Sequence, residues 1–297
     1  MKKEIQELLQ PDIINSISGL ELVARAVVEE NRHGLNKSAV LGTGGEFSQY
    51  RSYEPGDDLR RIDWKLYGRS ERYYTKLAEE ETNIKVKFIL DASSSMKHEQ
   101  DGLQKIDFAK VMIASLGYLS FHQGDAMGLY AINDKKTLAY PSTVHKLYSN
   151  FLYQLIEIKA EGKWPVSIQS LDVLHQPYEK ELIVIVSDMY QERGEILNVV
   201  KNVKTELNEV VFLHIMSKNE LKLAYNGVVT LEDLETGEIL KVNSKMVKKE
   251  YYEAIEGHFK EIKEKCLEMG VLWQVFTVGD PLSEALVSFL KRRQQLL

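Results

Sequence analysis

Residues 91–96 read Asp-Ala-Ser-Ser-Ser-Met and follow directly on the apolar run Lys85–Leu90. Asp91, Ser93 and Ser95 stand at alternating positions. A short loop leaving the carboxyl end of a strand can turn one carboxylate and two hydroxyls of this kind toward a common point. Such hard oxygen donors suit Mg2+ or Mn2+ rather than a soft metal. A second apolar run, Glu181–Val186, ends in Ser187-Asp188. If both runs are parallel strands of one sheet, their ends share a rim, and Asp188 brings a second carboxylate to the same place. Two carboxylates at most balance a divalent ion, and hydroxyls add no charge. Mg2+ wants about six oxygens and usually keeps several waters, one of which an outside carboxylate can replace. The chemistry expected here is the docking of a Glu or Asp from a protein partner. The competing account is a serine-rich loop of no chemical consequence.

A strand-end aspartate can also be a nucleophile. Haloacid-dehalogenase phosphatases place a second aspartate two residues on, where this chain has Ser93, a poor general acid. The chain carries no P-loop, no G-x-S-x-G elbow and no Rossmann glycine fingerprint, so it is read as no enzyme. Its seven histidines show no ligand spacing, and His98 reads as a solvated loop residue. A scaffold whose site has lost its metal is the remaining alternative. Residues 50–72 mix Arg51, Arg60, Arg61, Lys65, Arg69 and Arg72 with Asp57, Asp58 and Asp63. Opposite charges this close can pair and pin the segment, with Ile62 and Trp64 anchoring it by burial. Guanidinium forks at Arg51, Arg60, Arg61 and Arg69 can instead bind a partner's oxyanions. Both readings stay open.

The elements that must position these groups follow from periodicity. Residues 4–32 read as helical, 34–45 as a loop, and 46–82 as short strands and turns. From residue 84 strands alternate with helices: strands at 85–90, 126–132, 136–140, 181–186, 210–215 and 271–278, and helices at 106–121, 144–158, 195–207, 247–269 and 282–290. That rhythm implies an α/β fold, a doubly wound and mostly parallel sheet with ligands at the carboxyl ends of its strands. A small N-terminal helical and β-rich extension precedes it. The expected divisions are 1–33, 34–82 and 83–297, with a hairpin inserted near 221–242. Hydrophobic residues make up 44% of the 297 positions, which is enough for a large core, and the net charge of −6 argues against a general nucleic-acid binder. The single cysteine, Cys266, allows no intrachain disulfide and no cysteine-based zinc site. No apolar run approaches the ~20 residues of a membrane helix, and the amino terminus lacks a secretory signal. The expectation is a soluble, cytoplasmic protein.

Asp91-Ala92-Ser93-Ser94-Ser95 resembles the DxSxS signature of von Willebrand factor A domains and their metal-ion-dependent adhesion site. That resemblance assigns Asp188 to the family's aspartate on a third loop. It assigns the threonine of a second loop to Thr143, with Ser142 as competitor. Residues 50–82 resemble the bacterial family called domain of unknown function 58 through Arg51, Tyr53, Pro55, Gly56, Asp57, Asp58, Arg60, Ile62, Asp63 and Trp64, and the likeness extends over about 34–297. The segment Leu231–Glu238 also looks like that family. The resemblance implies a von Willebrand factor A-like fold and a magnesium (or manganese) ion at Asp91, Ser93, Ser95, Thr143 and Asp188. It also implies a role beside a MoxR-type AAA+ ATPase. Some members carry N-terminal membrane helices, which this chain does not show.

Overall fold

The computed structural model describes residues 5, 7–30, 49–54, 62–77, 84–135, 138–143, 147–165, 181–189, 195–223, 225 and 227–294. In chain order they form helices α1 (Pro11–Ile14) and α2 (Ile17–Glu30), strand β1 (Gln49–Ser52), helix α3 (Trp64–Ser70) and strands β2 (Tyr74–Leu77) and β3 (Lys85–Asp91). A 3-10 turn at Ser94–Lys97 and the two-residue strands β4 (Glu99–Gln100) and β5 (Leu103–Gln104) lead into α4 (Lys105–His122). Strands β6 (Ala126–Ile132) and β7 (Leu138–Thr143), helix α5 (Tyr148–Ile156), strand β8 (Glu181–Ser187), helix α6 (Glu195–Val203) and strand β9 (Glu209–Met216) come next. The chain ends with α7 (Lys218–Lys222), the hairpin β10 (Val228–Glu232) and β11 (Ile239–Asn243), α8 (Ser244–Glu268), β12 (Leu272–Thr277) and α9 (Leu282–Gln294).

The main sheet has the order β12-β9-β8-β3-β6-β7. All neighbours are parallel except β6 and β7. Alternation along each strand feeds two cores. Val86, Phe88, Leu90, Leu182, Val184 and Val186 face one; Ile89, Ile183, Ile185, Val210 and Phe212 face the other. The first core is closed by α2, α4, α5 and α9, and the second by residues of α6 and α8. Helix α4 is buried on nearly all sides, because the sheet covers one side and α2 packs against the other with Leu20, Val23, Ala24 and Val27. Its Gly117 leaves room for the Phe151 ring of α5, which a Cβ would meet at 2.8 Å.

Two compact units divide the chain, 1–41 with 84–297, and 42–83. The smaller unit pairs β1 with β2 in antiparallel fashion around α3. The helix departs from the strands and turns expected there. Asp63 makes it possible, because its side chain accepts the N–H groups of Lys65 and Leu66 at 3.0 and 3.1 Å and caps the first turn. Ile62 is buried as expected, but Trp64 is 61% exposed and anchors nothing by burial of its own. In the larger unit the expected hairpin is present and pairs Val228–Glu232 with Ile239–Asn243, after α7 has ended at Lys222. Among the described residues no helix is long and apolar enough to cross a membrane.

Candidate metal centre

Strand β3 lies directly beside β8 in parallel register, with Leu90 opposite Val186. The chain therefore leaves both strands on one rim, at Asp91 and at Ser187-Asp188. Asp91 is fully enclosed. One carboxylate oxygen accepts the N–H of Ser93 at 2.9 Å, and the other accepts the Ser187 hydroxyl at 2.6 Å. The Ser93 hydroxyl lies 2.9 Å from the Ser95 hydroxyl, which donates to Asp188 Oδ1 at 3.2 Å. Hydrogen bonds thus tie the serine loop that follows Asp91 to the other strand-end aspartate. The next residue, Met189, takes φ 55°, a conformation rare for a residue with a side chain, and its N–H bonds back to Ser187 Oγ at 3.0 Å. That turn sets the direction in which Asp188 leaves β8.

Charge is concentrated here. Burial first, then repulsion from Asp188, pushes the Asp91 carboxyl up to about 7, against the hydrogen bonds from Ser187 and Ser93. The ammonium of Lys105, at the start of α4 and 1% exposed, donates to Asp188 Oδ2 at 3.0 Å and also to Glu220. Burial alone would lower that ammonium's pKa, but Asp188 and then Glu220 hold it above the ordinary lysine value. Glu220 is fixed in turn by a capping box with Ser217 at the start of α7. Ser217 Oγ meets His98 Nε2 at 3.1 Å. His98 is therefore tied into the surroundings of the site rather than freely solvated, and burial lowers its pKa. From β9, His214 Nε2 lies 2.9 Å from the Asp188 carbonyl oxygen. Burial pushes this ring down to about 3, so it is neutral and donates from that nitrogen.

The hairpin comes within electrostatic reach of the site. Glu235 of the hairpin is half-buried, and burial first, then Asp188, raises its carboxyl pKa. The Ser93 and Ser95 hydroxyls bond to each other, and of the nearby carboxylates Asp188 accepts a hydrogen bond from this pair. Among the described residues no three His, Cys, Asp or Glu side chains gather as a metal-holding group by themselves. The serine hydroxyls are thus necessary members of any cation-binding set.

The family described as Protein of unknown function DUF58 matches residues 49–261. The chain belongs to the DUF58 family. The matched range of this DUF58 chain includes the strand-end loops and the hairpin. Uncharacterized proteins of Mycobacterium tuberculosis and Mycobacterium bovis are 22% identical to it over 235 residues, spanning 76% of this chain and 72% of theirs. Among solved structures, the conserved hypothetical protein BatB from Bacteroides thetaiotaomicron is similar at 12% identity and a TM-score of 0.47, over 72% of this chain and 99% of that one. A von Willebrand factor type A protein from Catenulispora acidiphila is similar at 12% identity and a TM-score of 0.39, over 74% and 44%. The SpRpn10 VWA domain is similar at 13% identity and a TM-score of 0.40, over 72% and 97%.

In this DUF58 chain the structure brings together Asp91, Ser93, Ser95 and Asp188. It does not bring Thr143 to them. The backbone of Thr143 pairs with Met127, whereas Asp91 pairs with Ile132 at the other end of β6. Five residues of strand separate those positions, about 16 Å. The physical reason is that β7 runs antiparallel and carries the chain back to the opposite rim. Ser142 precedes Thr143 on that same returning strand. Of the arginines singled out from the sequence, Arg60 and Arg61 lie outside the described residues. Arg51 belongs to β1 opposite Thr75, and Arg69 is exposed in the last turn of α3. Sequence reasoning missed Lys105, Glu220, His214 and Glu235. Only Glu235 had a local signal, since it sits in the LEDLETGE stretch already tied to the family.

Proposed function

We propose that this DUF58 chain is a protein-binding module whose strand-end site holds Mg2+ or Mn2+ through Asp91, Ser93, Ser95 and Asp188. The bound ion would supply an electrophilic point to which a carboxylate of a protein partner docks. The chain's own residues do the rest. Asp91 has each oxygen already engaged by Ser93 N–H or Ser187 but keeps spare lone pairs, so it serves the ion directly or through water. Ser93 and Ser95 present hydroxyl oxygens between the two aspartates. Lys105 offsets the charge of Asp188 from the far side and limits how strongly the ion is neutralised. One observation carries the reading: two strand-end carboxylates on one rim of the sheet have the Ser93 and Ser95 hydroxyls beside them, a cluster of hard oxygens that favours a cation. The donor set fits a hard divalent ion.

The partner class offered by the DUF58 resemblance is a MoxR-type AAA+ ATPase, with this protein as its adaptor. A nucleophilic role for Asp91 is the weaker reading. The side chain is 1% exposed and held by Ser187 and Ser93, and Ser93 takes the place of the acid such chemistry needs. Titration with Mn2+ followed by electron paramagnetic resonance tests the proposal. One bound ion per chain is expected, lost in Asp91→Ala without loss of the folded circular-dichroism spectrum. Retention of a MoxR-type ATPase on the immobilised protein should depend on the ion and disappear with chelator. Wild-type protein that binds no Mn2+, or retention indifferent to chelator, would overturn it.

A further inference from the structure

Lys105 stands where elementary electrostatics disfavours a lysine. It opens α4, a helix of 18 residues, and the amino-terminal end of a helix repels a positive charge. Its side chain is 1% exposed, and an ammonium taken out of water loses its hydration. Nearby anions must offset both penalties, and two different elements supply them. Asp188 Oδ2, at the end of β8, accepts from Lys105 Nζ at 3.0 Å, and Glu220 Oε1, on α7, accepts from the same nitrogen. The other oxygen of each carboxylate is already placed. Asp188 Oδ1 accepts from the Ser95 hydroxyl at 3.2 Å, on the side of the serine loop. Glu220 Oε2 accepts the Ser217 N–H at 2.7 Å. Its helix is held further by the Asn219 N–H, which donates to Gln100 Oε1 at 3.1 Å, and by the Tyr251 hydroxyl, which donates to the Glu220 carbonyl at 2.5 Å. The ammonium thus sits between two fixed acceptors, one inside the candidate cation site and one outside it.

We propose that Lys105 is the internal counter-ion of the strand-end site: its ammonium neutralises Asp188 while no divalent ion is bound, competes with an entering ion for that carboxylate, and passes to Glu220 once the ion is in place. The inference rests on the cation-site reading above and adds to it what balances the site beforehand and what sets its affinity. Charge decides the direction. A divalent ion and an ammonium that share one carboxylate repel each other across it. Glu220 gives the ammonium a second carboxylate that the ion does not claim, so Lys105 keeps an anion when Asp188 turns to the ion. The shift is small. The ammonium rides on a flexible four-carbon stem, and it already bonds to both acceptors. A lysine that merely aimed the Asp188 side chain would do the reverse and help the ion to bind.

The test uses the full chain and Mn2+ alone as the probe, titrated by electron paramagnetic resonance. Lys105→Met keeps most of the side chain's length and removes its charge, and Mn2+ affinity should rise about tenfold. Glu220→Gln keeps the capping box, which glutamine also forms, but weakens the pull on the ammonium away from Asp188. Mn2+ affinity should then fall about tenfold. Two shifts of opposite sign are the expected result. Weaker binding in Lys105→Met would make the lysine an aiming device and overturn the proposal. If Asp91→Ala abolishes Mn2+ binding while Lys105→Met binds no more tightly than wild type, the counter-ion is wrong and the cation site stands. If wild type and both variants bind no Mn2+, the two readings fall together. Should Lys105→Met fail to fold, as loss of one buried partner can cause, the double variant Lys105→Met with Glu220→Gln removes one charge of each sign. It too should bind Mn2+ more tightly than wild type, and equal or weaker binding would sink the counter-ion.

Discussion

At the scale of single residues, burial decides which groups are tense. Asp125, in the turn between α4 and β6, is 8% exposed. One carboxylate oxygen accepts the Ile84 N–H at 3.2 Å, and the other is buried without a hydrogen-bond partner. Burial pushes its pKa up to about 6, against that hydrogen bond and the more distant Arg293. The folded state therefore holds this proton more tightly than the unfolded chain does. Its contribution to stability is complete below about pH 4 and is lost as pH rises through about 6. Asp125→Asn removes the ionisation. The variant should melt above wild type at pH 7, and the gap should close toward pH 4. Melting curves across that range check it, and a gap of constant size would show that the carboxylate is not the cause. At the same scale, Asp91, Ser93 and Ser95 were readable because their spacing is local and their chemistry belongs to one loop. Lys105 was not. In sequence it is one more lysine before an apolar helix, and only the crossover returning α4 over the sheet makes it the counter-charge of a residue 83 positions away.

At the scale of elements, the buried strands announced themselves as β-branched runs, because a strand covered on both faces has no polar side to show. Helix α3 stayed hidden among Tyr, Arg and Gly, since its capping residue Asp63 reads equally well as an ion-pair partner for the nearby arginines. The course of β7 was hidden for a different reason. The apolar pattern shows that a strand exists but not which way it runs, and the direction alone moves Thr143 from one rim to the other. Between its polar ends, Lys85 and Asp91, strand β3 has one polar position. Lys87 points into the second core beside Ile89 and meets Glu181, the first residue of β8, at 2.7 Å with both side chains almost completely enclosed. Such a pair adds little over an apolar replacement of both members, but removing one partner leaves a charge in a dry place. Lys87→Met should lower unfolding free energy by about 3–5 kcal/mol. The double variant Lys87→Met with Glu181→Leu should recover most of it. Urea denaturation separates the cases, and a single variant within about 1 kcal/mol of wild type would mean that Glu181 finds relief elsewhere.

At the scale of the whole molecule, the sequence reading set residues 1–33 apart as a helical segment, and the structure makes them part of the α/β unit. A signal for this was present in α4. The sequence KIDFAKVMIASLGYLSFH has almost no polar face, and a helix apolar all round must be covered on its outer side as well as on its sheet side. Helices α1 and α2 supply that cover. Ile14, Leu20, Val23, Ala24 and Val27 are each at most 2% exposed and belong to the same core as Phe108, Met112 and Leu116 of α4. Each large aliphatic side chain buried in this way contributes about 1.5–3 kcal/mol. The four larger ones together supply roughly 6–12 kcal/mol, on the order of the entire stability of an ordinary domain. Deleting them also uncovers their partners on α4, which adds to the loss. A fragment of residues 84–297 would carry every residue of the candidate site and the complete six-stranded sheet, yet it should not fold on its own. It should be insoluble, or should give no cooperative thermal transition by circular dichroism where the full chain gives one. Adding back a peptide of residues 5–30 should restore the transition. If the fragment alone melts cooperatively within a few degrees of the full chain, the amino-terminal helices are a dispensable layer and the core of this DUF58 protein closes without them.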